Sequence, residues 1–144
     1  IDGREVTEHI RSKAVTGKVS IVAGHLQVRE EMVRLQRRIA ADGNYVVEGR
    51  DIGSVVFPNA RLKVFMDASI DARARRRLHE LHRKGVDASI DEVRRDIARR
   101  DQLDSQRAES PLIKPEGALV IDTTALTIDE QVEKIIAAVV SIAE

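Results

Sequence analysis

Arg50 and Asp51 are the residues of this 144-residue chain whose types and placement best suit chemistry. They stand in the run Val46-Val47-Glu48-Gly49-Arg50-Asp51-Ile52-Gly53-Ser54-Val55-Val56-Phe57-Pro58. A short apolar strand ends at a glycine and then presents a cation beside an acceptor. Ligands of open α/β sheets bind in the crevice beyond such strand ends. Adjacent residues after a strand point different ways, so each can engage a different part of a ligand. The plain alternative is a turn salt bridge, or Asp51 capping the next helical turn.

A second cluster lies in Arg99-Arg100-Asp101-Gln102-Leu103-Asp104-Ser105-Gln106-Arg107. If a helix runs through it, Arg100, Asp104 and Arg107 share a face by their i, i+4, i+7 spacing. Two guanidinium groups flanking a carboxylate suit a ligand with anionic oxygens and hydroxyls. A solvated face is the alternative, with Asp96 on Arg100 and Asp104 on Arg107, and such pairs are nearly neutral energetically. Together the two clusters suggest a site for a phosphorylated small molecule.

Arg73, Arg75, Arg76 and Arg77 begin another helix, with Arg73 and Arg77 on one face. Such a face can clamp transferring phosphates, and a solvated basic face is equally open. His79 and His82 offer i, i+3 spacing but no evident third ligand, so no metal site is expected. Ser20 has no neighbouring histidine base, which leaves a nucleophilic role unsupported. No Gly-x-x-x-x-Gly-Lys-Ser/Thr occurs in the 144 residues, so nothing visible cradles a polyphosphate.

The elements that must position these residues read as follows. Thr7 opens a short helix through Ile10 and Arg11. Val28, Met32, Leu35 and Ile39 form the stripe of a helix from about Gly24 to Ala41, and Asp42-Gly43 closes it. Tyr45 to Glu48, Leu62 to Asp67 and Leu119 to Asp122 read as buried strands. Ser69 or Asp71 starts a helix ending near Lys84-Gly85, with Ala74, Leu78 and Leu81 inward. Ser89 with Glu92, and Thr127 with Glu130, have capping-box spacing. The first opens a helix with Ile90, Val93 and Ile97 inward, the second one with Val132, Ile135, Ile136 and Val139 inward. Strands alternating with helices predict an α/β fold, a parallel sheet covered on both faces. Three strands are few for such a sheet. The chain opens at Ile1 without a methionine, in what reads as mid-domain sequence, so an N-terminal truncation is expected.

Composition narrows the function classes. Apolar residues make up 42% and charged residues 33%, so the chain is expected to fold. Aromatics are only 2%, which removes the stacking platform of a single-strand nucleic-acid binder. Lys plus Arg and Asp plus Glu are both 24, a balance unlike that of a polyanion-binding surface. Arginine outnumbers lysine three to one, favouring bidentate phosphate or carboxylate contacts. The chain has no cysteine, compatible with a reducing cytosol, and its longest apolar run, Ile135 to Val140, is too short to cross a bilayer.

Three blocks carry a family resemblance. They are Glu48-Gly49-Arg50-Asp51-Ile52-Gly53 through Pro58, Leu62 through Ser69, and Arg99-Arg100-Asp101 through Arg107-Ala108-Glu109-Ser110-Pro111-Leu112. In this order they resemble bacterial cytidylate kinase, and the likeness extends over essentially the whole chain. The resemblance implies phosphoryl transfer from ATP to CMP or dCMP, with Mg²⁺ brought by the nucleotide, in a cytoplasmic enzyme that binds neither nucleic acid nor membrane. It implies that Ser20, Arg29 and Asp51 recognise the cytosine ring and that Arg100 and Asp104 contact the sugar. Arg50 and Arg107 would hold the acceptor phosphate, and Arg73, Arg76 and Arg77 would serve the transferring phosphates from a mobile lid. Residues 1–28 would be the latter part of the monophosphate-binding insert. Residues 29–144 would be the core, with a lid helix pair near 71–107.

The departure is the family's first strand and phosphate loop, which this sequence does not contain. The fold expected is therefore a partial P-loop NTPase-type parallel sheet flanked by helices. These residues alone are expected to be inactive and open to self-association, the parent enzyme to be a monomer. A non-catalytic nucleotide- or anion-binding module is the alternative reading.

Overall fold

A computed structural model describes residues 1–106 and 112–142, without the side chains of Lys13 and Ser20. Six α-helices, one π-helical turn and two strands follow one another among the described residues: α1 (Thr7–Ile10), α2 (Lys13–Val22), α3 (Leu26–Ile39), the π-helical turn (Ile52–Val56), β1 (Val64–Asp67), α4 (Ile70–Arg83), α5 (Ile90–Ser105), β2 (Leu119–Asp122) and α6 (Ile128–Ser141). The strands pair in parallel, with Val64 opposite Leu119 and Asp67 opposite Asp122. The crossover between them carries α4 and α5, as a parallel connection requires.

Local chemistry sets the helix ends. Ser69 accepts from the Ala72 N–H at the start of α4. Ser89 and Thr127 each form a complete capping box, with Glu92 and Glu130 reaching back. Gly85, at φ +71°, turns the chain after α4 in a conformation that costs other residues strain. Ala72 and Ala74 of α4 and Val93 of α5 are buried, and the two helices pack together. Arg94 Nε of α5 donates to Asp71 Oδ1 of α4 at 2.9 Å across the pair.

Arg76 ties α4 to the sheet. Its Nη1 donates to Thr123 Oγ1 at 3.2 Å, and Nη2 donates to the Thr123 carbonyl. Thr123 is buried, and its hydroxyl donates to the Asp67 carbonyl at 2.9 Å. One threonine thus locks the ends of both strands to the crossover helix.

Three expectations require correction. Tyr45 to Glu48 is not a strand; Val46 is fully exposed at 102%. A strand exists only through its ladder, and no described segment pairs with this one. Among the described residues the sheet accordingly has two strands rather than three. It is flanked by helices, but its covering is incomplete. Val132, Ile136 and Val139 of α6 are exposed, because two short strands offer little surface to bury them. The same holds for Val28, Met32 and Ile39 of α3. One helix, α2, was not foreseen; Ser12 caps it by accepting from the Val15 N–H at 3.4 Å.

Candidate active site

The turn after Gly49 is built by close contact. A Cβ on Gly49 would lie 2.7 Å from Ile52 Cγ1, and one on Gly53 would lie 3.0 Å from Pro115 Cγ. A side chain at Gly49 would force Ile52 to move, and one at Gly53 would be tight against Pro115. Val55 and Val56 donate their N–H groups to the Asp51 carbonyl at 2.8 and 3.2 Å, and Phe57 donates to Ile52 O at 2.7 Å. The i→i+5 bonds make a π-turn, a geometry that recurs at functional sites. At its far end Arg37 of α3 donates Nε to Val56 O at 2.8 Å and Nη2 to Val55 O at 2.7 Å.

This turn sends Arg50 and Asp51 to opposite partners. Asp51 forms an ion pair with Arg29 of α3, through Asp51 Oδ2 and Arg29 Nη2. The two side chains are only 14% and 11% exposed. Arg29 Nη1 also donates to Ala23 O at 3.1 Å. Two donor and acceptor positions stay open among the described residues: Arg29 Nε is buried without a partner, and nothing donates to Asp51 Oδ1. Beside the pair lies a cleft of about 800 Å³ between α2 and α3, lined by Val15, Val19, Met32 and Val33 as well as Arg29 and Asp51.

Arg50 turns the other way, and its Nε donates to Asp104 Oδ2 at 3.3 Å. The helix predicted to run through the second cluster does so, and Arg100 Nε lies 3.8 Å from the same oxygen. Asp104 is 2% exposed, whereas both arginines are half exposed. The carboxylate sits at the bottom and the guanidinium groups extend toward solvent. That disfavours the solvated-face alternative for Asp104. Asp96 pairs with Arg99 at 3.1 Å rather than with Arg100. Arg107 lies outside the described residues, as does the side chain of Ser20, so neither is placed.

Arg73, Arg76 and Arg77 of α4 are engaged elsewhere. Arg73 Nη1 pairs with Asp101 Oδ2 of α5 at 2.7 Å, and its Nε donates to Ala68 O at 3.1 Å. Arg77 pairs with Glu80 on its own helix at 3.0 Å. Arg76 is held by Thr123 as described. Beyond Thr123, the Asp122 carboxyl is held below the usual carboxylate range by the hydroxyl and N–H of Thr124. No group of three His, Cys, Asp or Glu side chains among the described residues could hold a metal ion. No described helix is long and apolar enough to cross a membrane.

Residues missed by sequence reasoning are Arg37 and the roles of Asp101 and Thr123 as partners. Arg37 had one legible signal, its place two turns after Arg29 on the same helix.

The cytidylate kinase family model matches residues 1–141. This chain belongs to the cytidylate kinase family. Similar curated proteins are cytidylate kinases. That of Bacillus cytotoxicus is 51% identical over 139 residues, which cover 96% of this chain and 62% of the relative. That of Alkaliphilus oremlandii is 50% identical over 136 residues, 94% of this chain and 63% of the relative. That of Bacillus anthracis is 49% identical over 142 residues, 99% of this chain and 63% of the relative. The chain thus spans a little under two thirds of the length of the curated relatives it matches. A cytidylate kinase family member with Arg50 and Asp51 in two cross-element ion pairs provides the frame for assigning function.

Proposed function

We propose that this chain forms the acceptor-nucleotide side of a kinase that transfers the γ-phosphoryl group of ATP to CMP or dCMP. A phosphate oxygen of the monophosphate attacks the γ-phosphorus, the bond to the β–γ bridging oxygen breaks, and CDP or dCDP and ADP result. The observation that carries the reading is the Arg50-Asp51 dipeptide. One residue faces a buried carboxylate flanked by arginines, and the other faces a half-enclosed cleft with an open acceptor oxygen.

In this reading cytosine approaches the cleft beside Arg29 and Asp51. Asp51 Oδ1 accepts from the exocyclic amine, and Arg29 Nε donates to a ring acceptor, with Ser20 assigned there by the family resemblance. Uracil carries a carbonyl where cytosine carries the amine, so Asp51 would face an acceptor and reject it. Asp104 orients Arg50 and Arg100 toward the sugar and phosphate, with Arg107 as a further phosphate ligand. Arg73, Arg76 and Arg77 act on the transferring phosphates only after leaving Asp101, Thr123 and Glu80. Residues 1–28 belong to the monophosphate-binding insert in this reading, and α4 with α5 to a lid. The described side chains do not fit a protein-held Mg²⁺, so the metal is assigned to the ATP phosphates, and no step is derived from it. Catalysis would rest on positioning and electrostatic stabilisation in a cytoplasmic setting.

Calorimetric titration with CMP and UMP tests the site. CMP is expected to bind about 100-fold tighter than UMP, and Asp51→Asn to erase most of that preference. Equal affinities for the two nucleotides would end the reading. The pairing of Arg73, Arg76 and Arg77 within the protein favours a second reading, nucleotide binding without transfer. Supplying ATP and CMP and measuring CDP separates the two. These 144 residues, lacking the Gly-x-x-x-x-Gly-Lys-Ser/Thr sequence, are expected to bind CMP and form no CDP.

A further inference from the structure

Arg37 has no part in the reading above, yet α3 commits it to the turn that carries Asp51. Its two donors satisfy Val55 O and Val56 O, at 2.7 and 2.8 Å. Those carbonyls close the π-turn, where helical geometry leaves acceptors without partners inside the turn. At the opening end the Asp51 carbonyl receives the Val55 and Val56 N–H groups, and the Asp51 carboxylate is gripped by Arg29. One helix therefore holds both ends of the same five-residue turn, through two arginines about 12 Å apart along its axis.

A turn this short does not persist on its own hydrogen bonds. Close contacts limit its shift, because Ile52 packs against Gly49 just before the turn and Pro115 against Gly53 within it. What remains free is rotation of the turn about its ends, and that motion would swing the Asp51 side chain. A guanidinium fork on two successive carbonyls blocks it. A lysine ammonium has no such fixed pair of donors.

We propose that Arg37 is a positioning residue that fixes the π-turn, and through it Asp51, so that it sets the preference for an amino-bearing pyrimidine. The proposal rests on the reading of Arg50 and Asp51 as the acceptor-nucleotide site. Arg37 itself touches no ligand in this scheme.

The test compares the unaltered chain with Arg37→Met and Arg37→Lys. Amide hydrogen exchange is read residue by residue by NMR, and CMP and UMP affinities by calorimetry. In Arg37→Met the amides of Val55, Val56 and Phe57 should exchange about tenfold faster or more, while those of α4 and α5 stay unchanged. CMP should weaken about tenfold and UMP much less, so that the affinity ratio falls; Arg37→Lys should recover part of both effects. Exchange that is unchanged in the turn overturns the proposal. So does exchange that rises equally in α4 and α5 with an unchanged CMP:UMP ratio, which is the signature of general destabilisation. Should Arg37→Met fail to fold, Arg37→Lys alone decides by the same two criteria. If the unaltered chain binds neither nucleotide, the acceptor-site reading fails with the selectivity claim, and the exchange arm still decides whether Arg37 fixes the turn.

Discussion

The Arg50-Asp51 turn and the arginine-rich start of α4 look alike in sequence and differ in how their charges are used. At the turn, each charge reaches another element and meets a partner shielded from water: Arg29 at 11% exposure for Asp51, and Asp104 at 2% for Arg50. On α4, Arg77 pairs within its own helix, with both partners largely exposed. Arg73 and Asp101 are each more than a third exposed. Screening by water makes such pairs worth little, whereas shielded pairs constrain geometry strongly. A cluster of arginines is thus a weak signal, and an arginine facing a buried carboxylate is a strong one.

The largest effect that could break this comparison is expected at Asp104. Asp104→Asn keeps the shape and removes the charge that gathers Arg50 and Arg100. The arginines are half exposed and can regain water, so the cost should be about 2 kcal/mol rather than the full penalty of a stranded buried ion. Urea unfolding should show the lower midpoint, and CMP affinity should fall with it. A variant as stable as the parent, with CMP affinity intact, would place the turn in the same class as α4.

A smaller effect is expected from α4 itself. Arg77→Ala should change stability by no more than about 0.5 kcal/mol, and Arg73→Ala by no more than about 1 kcal/mol. Neither should alter CMP affinity, since both arginines are proposed to act on transferring phosphates. Urea midpoints and calorimetry check both points. A loss of CMP binding in either variant would move α4 into the acceptor site and dissolve the contrast.

Much of this contrast was legible in the residues. The caps at Ser69, Ser89 and Thr127 are local hydrogen-bond patterns, and each forms where its spacing indicates. Asp104 and Arg100 share a face because a capped helix has a fixed period. Tyr45 to Glu48 was misread because strand formation depends on a partner that a local pattern cannot supply. The stripe on α6 was a sound amphipathic signal, but burial needs an opposing surface. α2 escaped notice because Gly17 and its β-branched residues weaken its propensity, although Val15, Val19 and Val22 are helically spaced. The partners of Arg37 are backbone carbonyls, which leave no trace in residue type. The pairing of Asp51 with Arg29 was equally hidden from spacing, because it joins residues on separate elements.

The smallest expected effect lies outside both regions, in the exposed capping box that opens α6. The Glu130 carboxyl is held below its usual range by the Thr127 N–H and then by the Thr127 hydroxyl. A carboxylate with a lowered folded value contributes stability above its unfolded value, near 4.3 for glutamate, and loses it as pH falls through the folded value. Glu130→Gln keeps a capping acceptor and removes the titration. Circular dichroism from pH 6 to pH 2 should therefore show a slightly shallower loss of helix in Glu130→Gln than in the parent. Superimposable curves would mean that the cap adds no acid-sensitive stability, and a difference rivalling the effect of Asp104→Asn would mean that an exposed contact counts as much as a shielded one.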